Sequence, residues 1–171
     1  QSYNWDRTYL GENSDTEPYG DEFQVNTYSD GDQLRPSVTD LADGGFVVTW
    51  TSQEQDGSGK GIYGQRYDGD RNAVGSEFRV NTYTDGNQQY PSITGLSDGG
   101  FVVTWQSFDQ EGSRYGIYGQ RYNSRGNRVG SEFQVNTYTD GFQSSPSVTE
   151  LSGGGFVVTW TSQEQDGSGK G

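Results

Sequence analysis

The sequence GGFVVTWTSQEQDGSGKG occurs twice in this chain, at residues 44–61 and at residues 154–171. A third version, GGFVVTWQSFDQEGSRYG, lies between them at residues 99–116, so the motif recurs every 55 residues. A fixed period of this length indicates a supersecondary unit whose copies bury a shared core. The predicted organisation is an N-terminal segment and three repeats, at 1–19, 20–74, 75–129 and 130–171.

The pattern inside each repeat is that of β-strands. In FVVTW, at residues 101–105, apolar and aromatic side chains occupy both faces of an extended segment, which is typical of a strand covered on both sides. Asp98-Gly99-Gly100 is a tight hairpin signal directly before it. The sequence therefore predicts an all-β fold of three four-stranded antiparallel meanders. In the middle copy the strands are predicted at 77–83, 91–96, 100–107 and 116–123.

Composition excludes several classes of function. The net charge of −13 would repel a nucleic-acid backbone, and no apolar stretch is long enough to insert into a membrane. The chain has no cysteine and no histidine, which removes thiol chemistry, the usual general base and the common zinc ligands. The acidic residues recur with the repeat and none is singular, so the sequence predicts that the protein is not an enzyme.

The third repeat ends before its last strand, because Gly171 corresponds to Gly61, which precedes IYGQRYD in the first copy. The segment YNWDRTYLG, at 3–11, has the pattern of that missing strand. We therefore predict that an N-terminal segment completes the third repeat by strand complementation between chains, next to the strand at 156–162. The predicted assembly residues are Trp5, Arg7 and Tyr9 on the added strand, and Phe156, Val158 and Trp160 beside it.

The lines SEFQVNTYTDG, PSVTELSGGGFVVTW and GIYGQRYN resemble a repeat that occurs in tandem in large secreted bacterial proteins, often upstream of RTX-type calcium-binding segments. The resemblance covers residues 20–171. It implies a secreted, cell-surface or extracellular-matrix location and a propeller blade for each repeat. The RTX nonapeptide is absent from this chain, so the resemblance does not imply calcium binding.

Three blades are too few for a propeller, which usually needs four to eight. Two chains would complete a six-bladed ring, and chains joined head to tail would form an open filament. A β-trefoil or β-prism, each with internal three-fold pseudosymmetry, is the alternative that closes on a single chain. A solenoid-like stack is a further alternative.

Acidic residues beside glycines make calcium a candidate ligand, since calcium prefers oxygen donors. The loop at 52–61 and its equivalents at 107–116 and 162–171 carry such residues, although they lack the run of an EF-hand. The candidate calcium ligands are Glu54, Asp56, Asp109, Glu111, Glu164 and Asp166. The Asp-Gly steps at 30–31, 85–86 and 140–141 are interpreted instead as turns, where glycine supplies a positive φ.

Two functions remain open from the sequence. The first is a non-catalytic structural or adhesive module that self-assembles with further copies of the chain. The second is a multivalent lectin, because aromatic rings stack on sugar faces while arginine and amide groups bind hydroxyls. The alternative role of the same side chains is to build the core between strands. The candidate glycan-binding residues are Trp50, Tyr63, Arg66, Trp105, Tyr118, Arg121 and Trp160.

Overall fold

The computed structural model describes residues 21–110, 112, 114–163 and 165, and it confirms the all-β fold. The described residues contain no helix, and so none that could span a membrane. They form three antiparallel sheets. Sheet 1 contains β1 (Gln33–Asp40), β2 (Phe46–Gln53), β3 (Lys60–Tyr67) and β4 (Ala73–Arg79). Sheet 2 contains β5 (Gln88–Gly95), β6 (Phe101–Phe108), β7 (Tyr115–Tyr122) and β8 (Arg128–Gln134). Sheet 3 contains β9 (Gln143–Glu150) and β10 (Phe156–Ser162).

Strands that follow one another in the chain are neighbours in each sheet, so the predicted four-stranded meander is confirmed for sheets 1 and 2, whereas sheet 3 has two strands among the described residues. The predicted hairpin at Asp98-Gly99-Gly100 joins β5 to β6. Gly99 has a φ of +81°, and the Asp98 carboxylate accepts a hydrogen bond from the backbone N–H of Gly100 at 2.9 Å. The Asp-Gly steps also have the backbone of turns, since Gly31, Gly86 and Gly141 all have positive φ.

The strand predicted at 77–83 differs in place and in partner. It is β4, which begins at Ala73 and pairs with β3, so it closes sheet 1 rather than opening sheet 2. The reason is a short turn led by Asp68, whose Oδ1 accepts the backbone N–H groups of Asn72 at 2.8 Å and Asp70 at 3.0 Å. The sheets therefore extend over 33–79 and 88–134, out of phase with the sequence repeats.

The first strand of each sheet, β1, β5 or β9, is called its inner strand. Each inner strand contains a bulge, which is seen as a shift of its register with its partner near the start of the strand. The bulge holds Arg35, Tyr90 and Ser145, at equivalent repeat positions, with φ values of +57°, +61° and +54°. A positive φ is unusual for side chains other than glycine, and bulges redirect the side chains that they carry. These three residues differ from copy to copy, as do several of their neighbours.

Successive sheets pack through their inner strands, β1 on β5 and β5 on β9. Ile93 of β5 shares a core cluster with Leu41 and Val47 of sheet 1. Val148 of β9 shares another with Leu96 and Val102 of sheet 2. The same junction is therefore built twice. The third sheet does not pack back on the first within the described part of the chain, so the array is open there.

Candidate assembly site

The heptapeptide FVVTWTS forms all of β10 and the first seven residues of β2, but its surroundings differ. In β2, Val47 and Trp50 are fully buried. In β10, the equivalent Val157 is 39% exposed and Trp160 is only half-buried. Because the two sequences are identical, the difference comes entirely from what packs around each strand.

No described residue pairs with the outer edge of β10. Strand β2 pairs with β1 on one edge and with β3 on the other, where Trp50 lies opposite Tyr63. Strand β10 pairs with β9, and no other strand among the described residues lies beside it. An edge of this kind presents N–H and C=O groups that can pair with another strand.

Among the described residues, sheet 3 has no counterpart of an aromatic stack that the other two sheets contain. Phe46 stacks on Tyr67 with ring centroids 5.0 Å apart, and Phe101 stacks on Tyr122 at 4.6 Å. Both tyrosines lie on the third strand of their sheet, β3 or β7, which has no counterpart in sheet 3 among the described residues. Phe156 keeps the other ring contact of the repeat, since it lies 6.3 Å from Phe133 as Phe46 lies 6.5 Å from Phe23.

The predicted assembly residues fall into two groups. Phe156, Val158 and Trp160 all lie on β10, the strand with the open edge, and Trp160 is fixed by its Nε1, which donates to Gln143 Oε1 at 3.0 Å. Trp5, Arg7 and Tyr9 lie outside the described residues.

The two ends of the array expose opposite halves of the repeated junction. On the face of sheet 1 that lies away from sheet 2, Val38 is 61% exposed, whereas its equivalents Ile93 and Val148 are 6% and 7% exposed. On the far face of sheet 3, Leu151 is 48% exposed, whereas its equivalent Leu96 is 7% exposed. Each junction inside the chain joins these two kinds of surface.

The segment before sheet 1 contacts that sheet in the same way as the end of β4 contacts sheet 2. The rings of Phe23 and Tyr67 are 5.3 Å apart, and the Tyr67 hydroxyl donates to the carbonyl of Val25 at 2.8 Å. In the next junction Phe78, near the end of β4, lies 5.6 Å from Tyr122. Phe23 and Val25 therefore occupy the position in which the last strand of a preceding sheet would end.

Buried tyrosines provide the main electrostatic feature of this region. Burial raises the pKa of Tyr67 to about 12, and the nearby Glu77 carboxylate adds to the effect. Burial also raises the pKa of Tyr63 to about 12, reinforced by Asp56. Both phenols are therefore neutral at ordinary pH and act as packing and hydrogen-bonding groups.

Two carboxylates connect the sheets to the segments that enter them. Glu77 Oε2 accepts both the backbone N–H and the hydroxyl of Thr27, at 2.7 and 2.9 Å. Glu132 makes the same two bonds to Thr82, at the same distances. Sequence reasoning missed these pairs, which an alignment of the copies reveals because both partners recur with the repeat.

The candidate glycan-binding residues mostly lie in the core. Trp50 and Trp105 are fully buried, and Tyr63 and Tyr118 are 7% and 6% exposed. The buried Arg66 donates through Nη2 to the carbonyl of Ser124 in sheet 2, at 2.9 Å. These positions favour the core role that the sequence left open. Two candidates are more accessible, the half-buried Trp160 and Arg121, whose side chain is 40% exposed and lies 3.2 Å from Asp98.

The candidate calcium ligands that the structure describes lie in hairpin loops. Asp56 Oδ1 accepts the N–H of Ser58 at 3.2 Å, within the loop between β2 and β3, and Glu54 and Asp109 have φ values of +61° and +60° in equivalent loops. Glu111, Glu164 and Asp166 lie outside the described residues. No group of three or more acidic side chains that could hold a metal ion occurs among the residues described.

Sequence reasoning also missed the side chains that form the junction surfaces. Val38, Leu151 and Val157 were not singled out, although each belongs to a set of three aliphatic residues at equivalent positions. Such a set predicts a core position. In each set, two members are covered by a neighbouring sheet and one is exposed. The sequence of a single repeat does not encode this difference, because it depends on the number of sheets in the array.

No protein-family model and no curated protein matches this chain. Among solved structures, it resembles an endo-arabinase from Bacteroides thetaiotaomicron, with a TM-score of 0.53 and 18% identity over 76% of this chain. It also matches a protein of unknown function from Dyadobacter fermentans, with a TM-score of 0.45 and 11% identity over 81% of this chain. The chain spans about half the length of each, 51% and 53%. The first similarity supports the all-β fold.

Proposed function

We propose that this chain is a non-catalytic structural or adhesive module of the extracellular space whose copies assemble end to end. The observation that carries the proposal is the contrast between β2 and β10, which share one sequence but differ in burial and pairing. The extracellular location rests on the resemblance of the repeat to those of secreted bacterial proteins. Assembly rests on the two unmatched ends of the array.

The proposed contact repeats the junction found inside the chain. Sheet 3 of one copy packs against sheet 1 of the next, so that Val38 of the second copy covers Leu151 and Val157 of the first. The N-terminal segment of the second copy, with Trp5 and Tyr9, lies along the open edge of β10. Phe23 and Val25 support this path, because they already lie where such a strand would end.

This contact joins two different surfaces, so it is heterologous and determines the possible particles. The sheets are then blades around an axis lined by β1, β5 and β9. Two copies close into a ring of six blades, which is within the range of known propellers. If the rotation does not close, the same contact forms a filament.

The contact gains free energy from apolar burial and from strand pairing. Covering Val38, Leu151 and Val157 contributes about 1 kcal/mol for each side chain. The added strand pairs with the backbone N–H and C=O groups along the edge of β10. This pairing stabilises the assembled state relative to the separate chains. The charge of −13 on every copy opposes association, so salt is expected to strengthen it.

Deleting residues 1–12 tests the proposal. The shortened chain should remain folded, with sheets 1 and 2 intact, but should sediment as a monomer at concentrations where the full chain assembles. A synthetic peptide of residues 1–25 added to the full chain should cap β10 and reduce the particle mass. If the deletion variant assembles like the full chain, strand complementation by residues 1–12 is wrong.

A further inference from the structure

A cleft lies between sheets 2 and 3. Its volume is about 480 Å³, within the range of small-molecule sites. Residues from both sheets line it, among them Tyr90, Gln106, Tyr115, Phe142, Ser145 and Gln163. The described lining residues are all neutral, and the Arg114 guanidinium lies beside them, 4.8 Å from the ring centroid of Phe142.

Two departures from the repeat meet in this cleft. Tyr115 and Phe142 are bridge partners at the junction of sheets 2 and 3, and Lys60 and Asn87 are the equivalent bridge partners at the junction of sheets 1 and 2. The backbone relationship is therefore the same, but an aromatic pair replaces a polar one. In a chain whose copies are so similar, two changes in contact with each other indicate a role specific to this junction.

A third departure keeps the cleft open. At the junction of sheets 1 and 2, the Arg35 guanidinium lies 3.7 Å from the ring centroid of Tyr90. One junction later the equivalent residues are Tyr90 and Ser145. Both occupy the strained bulge of an inner strand. Because serine is small, nothing equivalent to the stacked pair fills the space.

The walls combine aromatic rings with neutral polar groups. The rings of Tyr115 and Phe142 are 5.9 Å apart, and both side chains are partly exposed. The Tyr115 hydroxyl accepts a hydrogen bond from Gln89 Nε2 at 3.4 Å, and Gln106 Oε1 accepts the backbone N–H of Ser145 at 3.1 Å. These contacts hold the rings and amides in place before any ligand binds.

We propose that this cleft binds a short neutral oligosaccharide. The apolar face of a sugar ring packs against Tyr115 or Phe142, and the amide and hydroxyl groups of Gln106, Gln163 and Ser144 bind its hydroxyls. The lining side chains are neutral, Arg114 covers one face of Phe142, and the net charge of −13 disfavours anionic ligands. The site lies within one copy, so it does not depend on assembly.

The test uses the full chain and a panel of neutral oligosaccharides made of glucose, xylose, mannose, galactose or arabinose units. Binding is measured by calorimetry, and contact with the rings by saturation-transfer NMR. The double variant Tyr115→Lys, Phe142→Asn gives this junction the residues of the first one, so the fold accommodates it. Ser145→Tyr fills the cleft as Tyr90 does one junction earlier.

At least one oligosaccharide should bind, and both variants should weaken its affinity at least about tenfold. Lys60→Ala, at the equivalent place in the first junction, is the matched control and should leave the affinity unchanged. Thermal unfolding checks that each variant is folded. The proposal is overturned if no member of the panel binds, or if the folded double variant binds as tightly as the unchanged chain.

Discussion

Ser92 Oγ on β5 accepts a hydrogen bond from the backbone N–H of Val148 on β9, at 3.1 Å. One junction earlier, Ser37 Oγ accepts the N–H of Ile93 at 3.3 Å. The third member of this series is Ser147, which is exposed on β9. In the proposed assembly its hydroxyl accepts the N–H of Val38 from a second copy.

Ser147→Ala should therefore weaken association without affecting the folded monomer. A hydrogen bond of this kind contributes about 0.5–1.5 kcal/mol, so the dissociation constant should rise about two- to tenfold. Ser92→Ala is the matched comparison, because it removes the same bond within one chain and should lower the melting temperature instead. Sedimentation equilibrium and thermal unfolding distinguish the two effects. Equal association by Ser147→Ala would argue against this register.

Charged substitutions on the exposed face of sheet 3 should prevent assembly. Leu151→Glu and Val157→Glu each place a carboxylate where the proposed contact is apolar, and burying it without a partner is costly. Each should raise the dissociation constant at least about tenfold. Val129→Glu is the control, because Val129 is 43% exposed, much like these two, but lies on the outer strand β8. If all three variants weaken association equally, the added charge causes the effect and its position on sheet 3 does not.

The buried tyrosine at the entrance to sheet 1 makes the fold sensitive to alkali. The pKa of Tyr67 is raised from 10.0 to about 12, so its contribution to stability is fully present below pH 10 and is lost as the pH rises towards 12. That contribution is about 2–3 kcal/mol. Tyr67→Phe should be less stable near pH 8, since it loses the bond to Val25, but its stability should fall less between pH 10 and 12. Urea unfolding at several pH values measures both effects.

The turn that closes sheet 1 should depend on acid pH. Hydrogen bonds from the side chain and backbone of Asn72 lower the pKa of Asp68 below 3.8, so the stability it provides is lost as the pH falls through and below that range. Asp68→Asn should melt like the unchanged chain at pH 7 and lose less stability in acid. Asn123 supports this, because its Oδ1 accepts the N–H groups of Arg125 and Asn127 at 3.0 Å in the equivalent turn.

Asp68→Ala is the contrasting variant, since alanine cannot accept either bond. It should lower the melting temperature at pH 7, where Asp68→Asn does not. Equal melting of the two variants would mean that the side chain does not hold this turn.

The strands and hairpins could be predicted from the sequence, because alternation in FVVTW and the Asp98-Gly99 step are local signals. The partner of β4 could not be predicted from the hydrophobic pattern, because the turn at Asp68 decides it. The environment of β10 was also beyond local reasoning, since β2 has the same sequence. The cleft formed by Tyr115 and Phe142 depends on which copies are adjacent, and it appears only when departures from the repeat are placed in space.

End-to-end assembly of the chain is measured by the mass of the native particle. Light scattering coupled to size-exclusion chromatography, at concentrations on the order of 100 µM and at low and high salt, determines how many copies join. We expect a dimer or a larger multiple of the chain, favoured by salt and lost in Leu151→Glu. A monomer under all these conditions, with β10 left exposed, would contradict it.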